Sequence, residues 1–68
     1  MWIVDDDGDM FNTDYYMAIG FYENREIKMW KDEDNYSEFR LSPNLTSEER
    51  LTRYYDLVEK LTGERVDG

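Results

Sequence analysis

There is no cysteine in this chain and no histidine. The first absence excludes disulfide staples and thiolate-bound zinc. The two together exclude the Ser–His and Cys–His arrangements that activate a nucleophile. Glycine occurs four times, never in the clustered form of a phosphate-binding loop. No apolar stretch approaches the roughly 20 residues needed to span a bilayer. Basic residues are also scarce, 8 against 17 acids, for a net charge of −9 on 68 residues. Such a chain repels nucleic acid and anionic lipid and attracts basic protein surfaces. Met1 is followed by no basic leader with an apolar run, so the expectation is a cytoplasmic protein without a membrane partner.

The acids are unevenly placed. Residues 1–24 hold six acids and no base; residues 1–38 hold eleven acids and three bases, net −8, and residues 39–68 are close to neutral at −1. The near-neutral half contains the clearest local signal, SPNLTSEERLTRYYDLVEKLTG from Ser42 to Gly63. Thr46 and Glu49 have the spacing of a capping box, and Gly63 suits a left-handed C-cap. They bound a helix predicted over about 47–62. Leu51, Tyr54, Tyr55, Leu57, Val58 and Leu61 cover an arc of roughly 160°, with Leu51, Tyr55 and Val58 expected against a sheet. Glu49, Arg53, Asp56 and Lys60 lie on the opposite side, at i,i+4 spacings worth about 0.3–0.5 kcal/mol per pair.

The sheet is expected from about 2 to 41. Trp2-Ile3-Val4 reads as a strand, and DDDGD carries Asp7-Gly8, a two-residue hairpin signal. Met10 to Thr13 returns, and Asp14 marks a bend. The charge-free run Tyr15–Tyr22 reads as a central strand, with Glu26–Lys31 and Tyr36–Leu41 as alternating strands. Strands followed by one helix predict an α+β domain: a small antiparallel sheet, a meander of three to four strands, with the C-terminal helix packed on one face. The tail 64–68 is expected to fray.

Alternation assigns two sheet faces. Tyr15, Met17, Ile19, Phe21, Ile27, Met29, Phe39 and Leu41 would meet the helix. Tyr16, Ala18, Gly20, Tyr22, Lys28, Trp30, Tyr36, Glu38 and Arg40 would face outward with nothing to cover them. The outward aromatics Tyr16, Tyr22, Trp30 and Tyr36 are therefore candidates for a partner contact. Gly20 in mid-strand points to a bulge or a close approach of other atoms.

DDDGD resembles part of a calcium loop, but with Gly8 at the sixth place the first would be Ile3 and the twelfth Asp14 instead of a bidentate Glu. No specific metal site is expected. Ser37, Ser42 and Ser47 have no base beside them, and paired carboxylates need a pocket to perturb them. The expectation is no enzyme and no cofactor. Carboxylates on alternate strand residues repeat at roughly 6.5–7 Å, similar to successive phosphates. Asp5, Asp6, Asp7, Asp9 and Asp14, with Asp32, Glu33 and Asp34, would then form a rim offering phosphate-like charge to a basic cleft built for DNA or RNA.

In size, acidity, lack of cysteine and element order the chain resembles the small phage proteins that inhibit host defence, among them anti-CRISPR proteins that mimic nucleic acid. MWIVDDDGDMFNTD and TSEERLTRYYDLVEKL also look like segments of small proteins of phages and Gram-positive bacteria. The resemblance implies a non-enzymatic inhibitor in the host cytoplasm. Its partner would be the basic surface of a Cas effector or another nucleic-acid-binding protein, with no direct contact to nucleic acid. The alternative is a structural or regulatory module that docks, or forms a homodimer, through its aromatic sheet face.

Overall fold

Ile3 and Phe11 are the two apolar residues around which the first hairpin registers. In the computed structural model, which describes residues 1–63, β1 (Trp2–Val4) pairs antiparallel with β2 (Met10–Asn12), and Ile3 lies opposite Phe11. A two-residue turn on Asp7-Gly8 would instead have set Ile3 against Asn12. Putting two apolar side chains opposite each other on the buried face decides the register. The loop therefore has five residues, Asp5–Asp9, with Gly8 at φ 87°.

Asn12 caps a single 3-10 turn, Thr13–Tyr15, by accepting the Asp14 amide at 3.1 Å. A second sheet follows: β3 (Ala18–Tyr22), β4 (Glu26–Trp30) and β5 (Tyr36–Phe39), antiparallel and in that spatial order. The fold is α+β with antiparallel strands and one C-terminal helix; its strands form two sheets, one of two strands and one of three. The run Tyr15–Tyr22 does not form the central strand. Its first residues belong to the 3-10 turn and the link after it, β3 lies at an edge, and β4 is central. Its lack of charge reflects one half-buried face packed against the core and rings packed on the other, not pairing on both edges.

The β3–β4 turn places Glu23 and Asn24 at φ 57° and 53°, the handedness that suits a tight hairpin. In the β4–β5 turn Asp32 Oδ1 accepts the amides of Asp34 (2.8 Å) and Asn35 (2.9 Å).

Helix α1 (Ser47–Thr62) starts at Thr46. Its hydroxyl accepts the Glu49 amide at 3.2 Å, and Glu49 Oε1 accepts the Thr46 amide at 3.0 Å. Gly63 ends it at φ 72°. The core is Ile3, Ile27, Met29, Phe39 and Leu57, with Phe11, Tyr16, Ile19, Phe21, Leu41, Tyr54 and Leu61 packed against it. Phe21 stacks on Tyr54 at 5.4 Å, and Phe11 meets Phe39 at 6.1 Å across the two sheets.

The helix is turned from the orientation its apolar arc predicts. Leu57 is buried, and Tyr54 and Leu61, half-buried like Leu51, Tyr55 and Val58, are the ones packed against the core, a rotation of roughly 50° from the centre of the arc at 3.6 residues per turn. Two arginines show why. Arg50 donates to the carbonyls of Leu45 (3.3 Å), Arg25 (3.2 Å) and Ser42 (3.4 Å). Arg53, expected among the solvent-facing charges, instead ion-pairs with Asp6 of the first loop. These contacts draw the helix toward the hairpin and the loop before α1. Among the described residues, no helix is long and apolar enough to cross a membrane. The tail 64–68 lies outside the described residues.

Candidate functional site

In the first acidic segment, Asp5 and Asp6 are turned to internal partners. Asp5 is 5% exposed, and its carboxylate accepts three amides: Asp7 at 3.1 Å, Asp9 at 2.8 Å and Arg40 at 3.1 Å. Asp6 accepts the Ser42 amide at 2.8 Å with one oxygen and pairs with Arg53 through the other, while its own amide donates to the Arg40 carbonyl at 3.0 Å. Asp7 lies 3.7 Å from the Arg40 guanidinium. Asp9 is exposed. Asp14 is exposed too, with its carboxylate 3.7 Å from the Met1 amine. Asp5 and Asp6 thus clip the hairpin to the end of β5 and to the helix, and offer little open charge.

The second acidic segment is the β4–β5 turn, where Asp32, Glu33 and Asp34 are all exposed. The Asn35 side-chain amide donates to both Asp32 oxygens, at 3.0 and 2.9 Å. That bond, and then the Asp34 amide, hold the Asp32 carboxyl below its usual range. The two segments are not one rim. The loop of residues 5–9 clips onto Arg40 and Ser42, beyond one end of β5; the turn of residues 32–34 precedes the other end. The four residue steps from Tyr36 to Arg40 put about 13 Å of chain between them. Among the described residues, no group of three or more acids is arranged to hold a metal ion.

The aromatic face is partly as expected. Tyr22, Trp30 and Tyr36 share the open side of the three-stranded sheet. Trp30 meets Tyr36 at 4.8 Å between centroids and Tyr22 at 6.4 Å, and donates its indole N–H to the Tyr22 hydroxyl at 2.9 Å. Lys28 holds its ammonium 5.0 Å from the Tyr22 ring centre and 4.7 Å from that of Tyr36. Gly20 stays in register opposite Lys28, and a Cβ there would come within 2.8 Å of the Tyr22 ring. The glycine thus serves the close approach of a ring, and no bulge forms.

Tyr16 does not belong to this face. It packs against the core, and its hydroxyl donates to Ser37 at 3.3 Å. Tyr15 and Met17, expected inside, are 72% and 70% exposed. The cause is the 3-10 turn, whose roughly 120° per residue breaks the two-residue alternation before β3 begins.

Two exposed regions escaped the alternation argument. Trp2, Val4 and Met10 crowd the outer face of the hairpin, opposite Ile3 and Phe11. The alternation of WIV and MFN carried that information, but strands of three residues leave it faint. The other region surrounds Met17. It separates a depression of about 240 Å³, floored by Met29 and Leu61, from a shallower one of about 230 Å³. Met17, Ala18, Trp30, Asp32 and Glu33 line the shallower one, so here aromatic, thioether and carboxylate surfaces meet. Comparison with family models, curated proteins and solved structures returns no match.

Proposed function

We propose that this protein is a non-enzymatic binding module that engages a basic, nucleic-acid-binding surface of another protein. In its sharpest form it is an inhibitor of the anti-CRISPR kind, acting in a host cytoplasm. The observation that carries the reading is the contrast in acid placement. Asp5 and Asp6 tie distant elements together, whereas Asp32, Glu33 and Asp34 are exposed, with Asp32 bonded inside its own turn and Asp32 and Glu33 beside Trp30. Charge left open next to an aromatic anchor suits a partner carrying Lys and Arg. Mimicry is then confined to the turn of residues 32–34, with Asp9 and Asp14 as outlying charges.

The test is capture of proteins from host lysate on the immobilised chain. The expected captives are basic nucleic-acid-binding proteins that elute with rising salt and are displaced by DNA or RNA. Retention indifferent to both would contradict the reading.

The ordered platform of Tyr22, Trp30 and Tyr36, with Tyr22 38% and Tyr36 48% exposed, favours a second reading. In it the module docks or self-associates through this face, with little sensitivity to salt. A net charge of −9 works against self-association at low ionic strength.

A further inference from the structure

We infer that the depression between Met17 and Trp30 receives the guanidinium of an arginine presented by a basic partner. This rests on the basic-surface reading above and names its anchor.

Three features select that occupant. The depression measures about 230 Å³, below the 300–1,000 Å³ or so typical of small-molecule sites, which suits a single long side chain. Its lining is largely apolar: Trp30, Met17 and Ala18 offer surface for a flat cation and its stem, and the acidic residues Asp32 and Glu33 border it. Asp32 stays ionised to low pH, because Asn35 and the turn amides hold its charged form. Finally, the same aromatic cluster already holds one cation, Lys28, between Tyr22 and Tyr36. Arginine fits better than lysine here. Its planar, weakly hydrated guanidinium stacks on a ring while still donating to carboxylates, whereas an ammonium keeps its water. Met17, in the link just before edge strand β3 and 70% exposed, can adjust its thioether to the incoming stem.

The experiment is a ¹⁵N NMR titration of the whole chain with acetyl-Gly-Arg-Gly-amide, and with the same peptide carrying neutral citrulline. The expected result is a saturable shift of the Met17, Ala18, Asp32 and Glu33 amides with the arginine peptide and none with citrulline. Glu33→Gln should weaken binding up to about fivefold, and Trp30→Leu about two- to fivefold. Glu33 lies in an exposed turn, so its variant keeps the test intact if Trp30→Leu disturbs the sheet. Shifts scattered over Asp9, Asp14 and the helix acids, with unchanged affinity in both variants, would remove this site and leave the basic-surface reading standing. No response to either peptide, together with salt-insensitive retention in the lysate capture, would remove both. Concentration-dependent shifts at Met17 and Ala18 without peptide would mean that a second copy covers the depression, which also overturns the assignment.

Discussion

DDDGD and DEDN are alike in composition and unlike in what their carboxylates do. In the first, Asp5 and Asp6 reach amides of Arg40 and Ser42 and the Arg53 guanidinium, and so tie the hairpin, the end of β5 and the helix together. In the second, among the described residues, Asp32 bonds only within its own turn, and Glu33 and Asp34 remain exposed. Net charge treats the two as equal contributors to one acidic field. Their hydrogen bonds separate them into a structural clasp and an open charged surface. A run of acids is evidence of a binding site only after its internal partners have been accounted for.

The sharpest way to break that comparison is Asp5→Ala. It removes the buried acceptor of three part-buried amides, a loss of about 3 kcal/mol. A chain of this size has a total stability of only about 3–10 kcal/mol. Chemical denaturation should therefore show a collapse of the midpoint, and a near-native midpoint would refute the clasp.

A double-mutant cycle on Asp6→Asn and Arg53→Gln comes next. The expected coupling is about 1 kcal/mol, limited by the 44% exposure of the guanidinium. Zero coupling would mean that the loop holds the helix through backbone bonds alone.

Acid titration gives a gentler contrast. Thr46 holds the Glu49 carboxyl below its usual range, chiefly through its amide, as Asn35 does for Asp32. A carboxyl lowered on folding stabilises the native state above its unfolded pKa, and that contribution is lost as pH falls through the lowered value. Melting temperature should be flat above about pH 5 and decline below about pH 4.5, with Glu49→Gln and Asp32→Asn each shallowing the decline. A decline unchanged in both variants would place the acid sensitivity elsewhere. The smallest effect belongs to Glu33→Gln and Asp34→Asn, which should leave stability within about 0.5 kcal/mol of the parent in thermal melts.

What could be read from the sequence depended on how far each residue's partners lie along the chain. The helix was legible because Thr46, Glu49 and Gly63 act within one turn of its ends. The inward set Ile27, Met29 and Phe39 was legible because alternation holds inside β4 and β5. Tyr16 was not, since one 3-10 turn reversed the parity ahead of β3. The roles of Asp5 and Asp6 were hidden because their strand-end partners stand 35 and 36 residues away. The helix rotation was hidden for the same reason, as it follows from Arg50 and Arg53 reaching distant loops. Of the candidate site, Tyr22, Trp30 and Tyr36 were foreseeable from alternation. Their junction with Met17 and the acids of the turn was not, because it depends on where the β3 edge meets the β4–β5 turn.

The most direct test of the difference between the two segments is charge-matched. Glu33→Gln/Asp34→Asn and Asp9→Asn/Asp14→Asn each remove two exposed acids, so both variants carry a net charge of −7 instead of −9. Calorimetric titration of each with hexa-arginine at low salt isolates position from total charge. The first variant should weaken binding by about five- to tenfold and the second by less than about twofold. Equal losses in the two would show that only the overall field matters, and would contradict a binding surface centred on the turn beside Trp30.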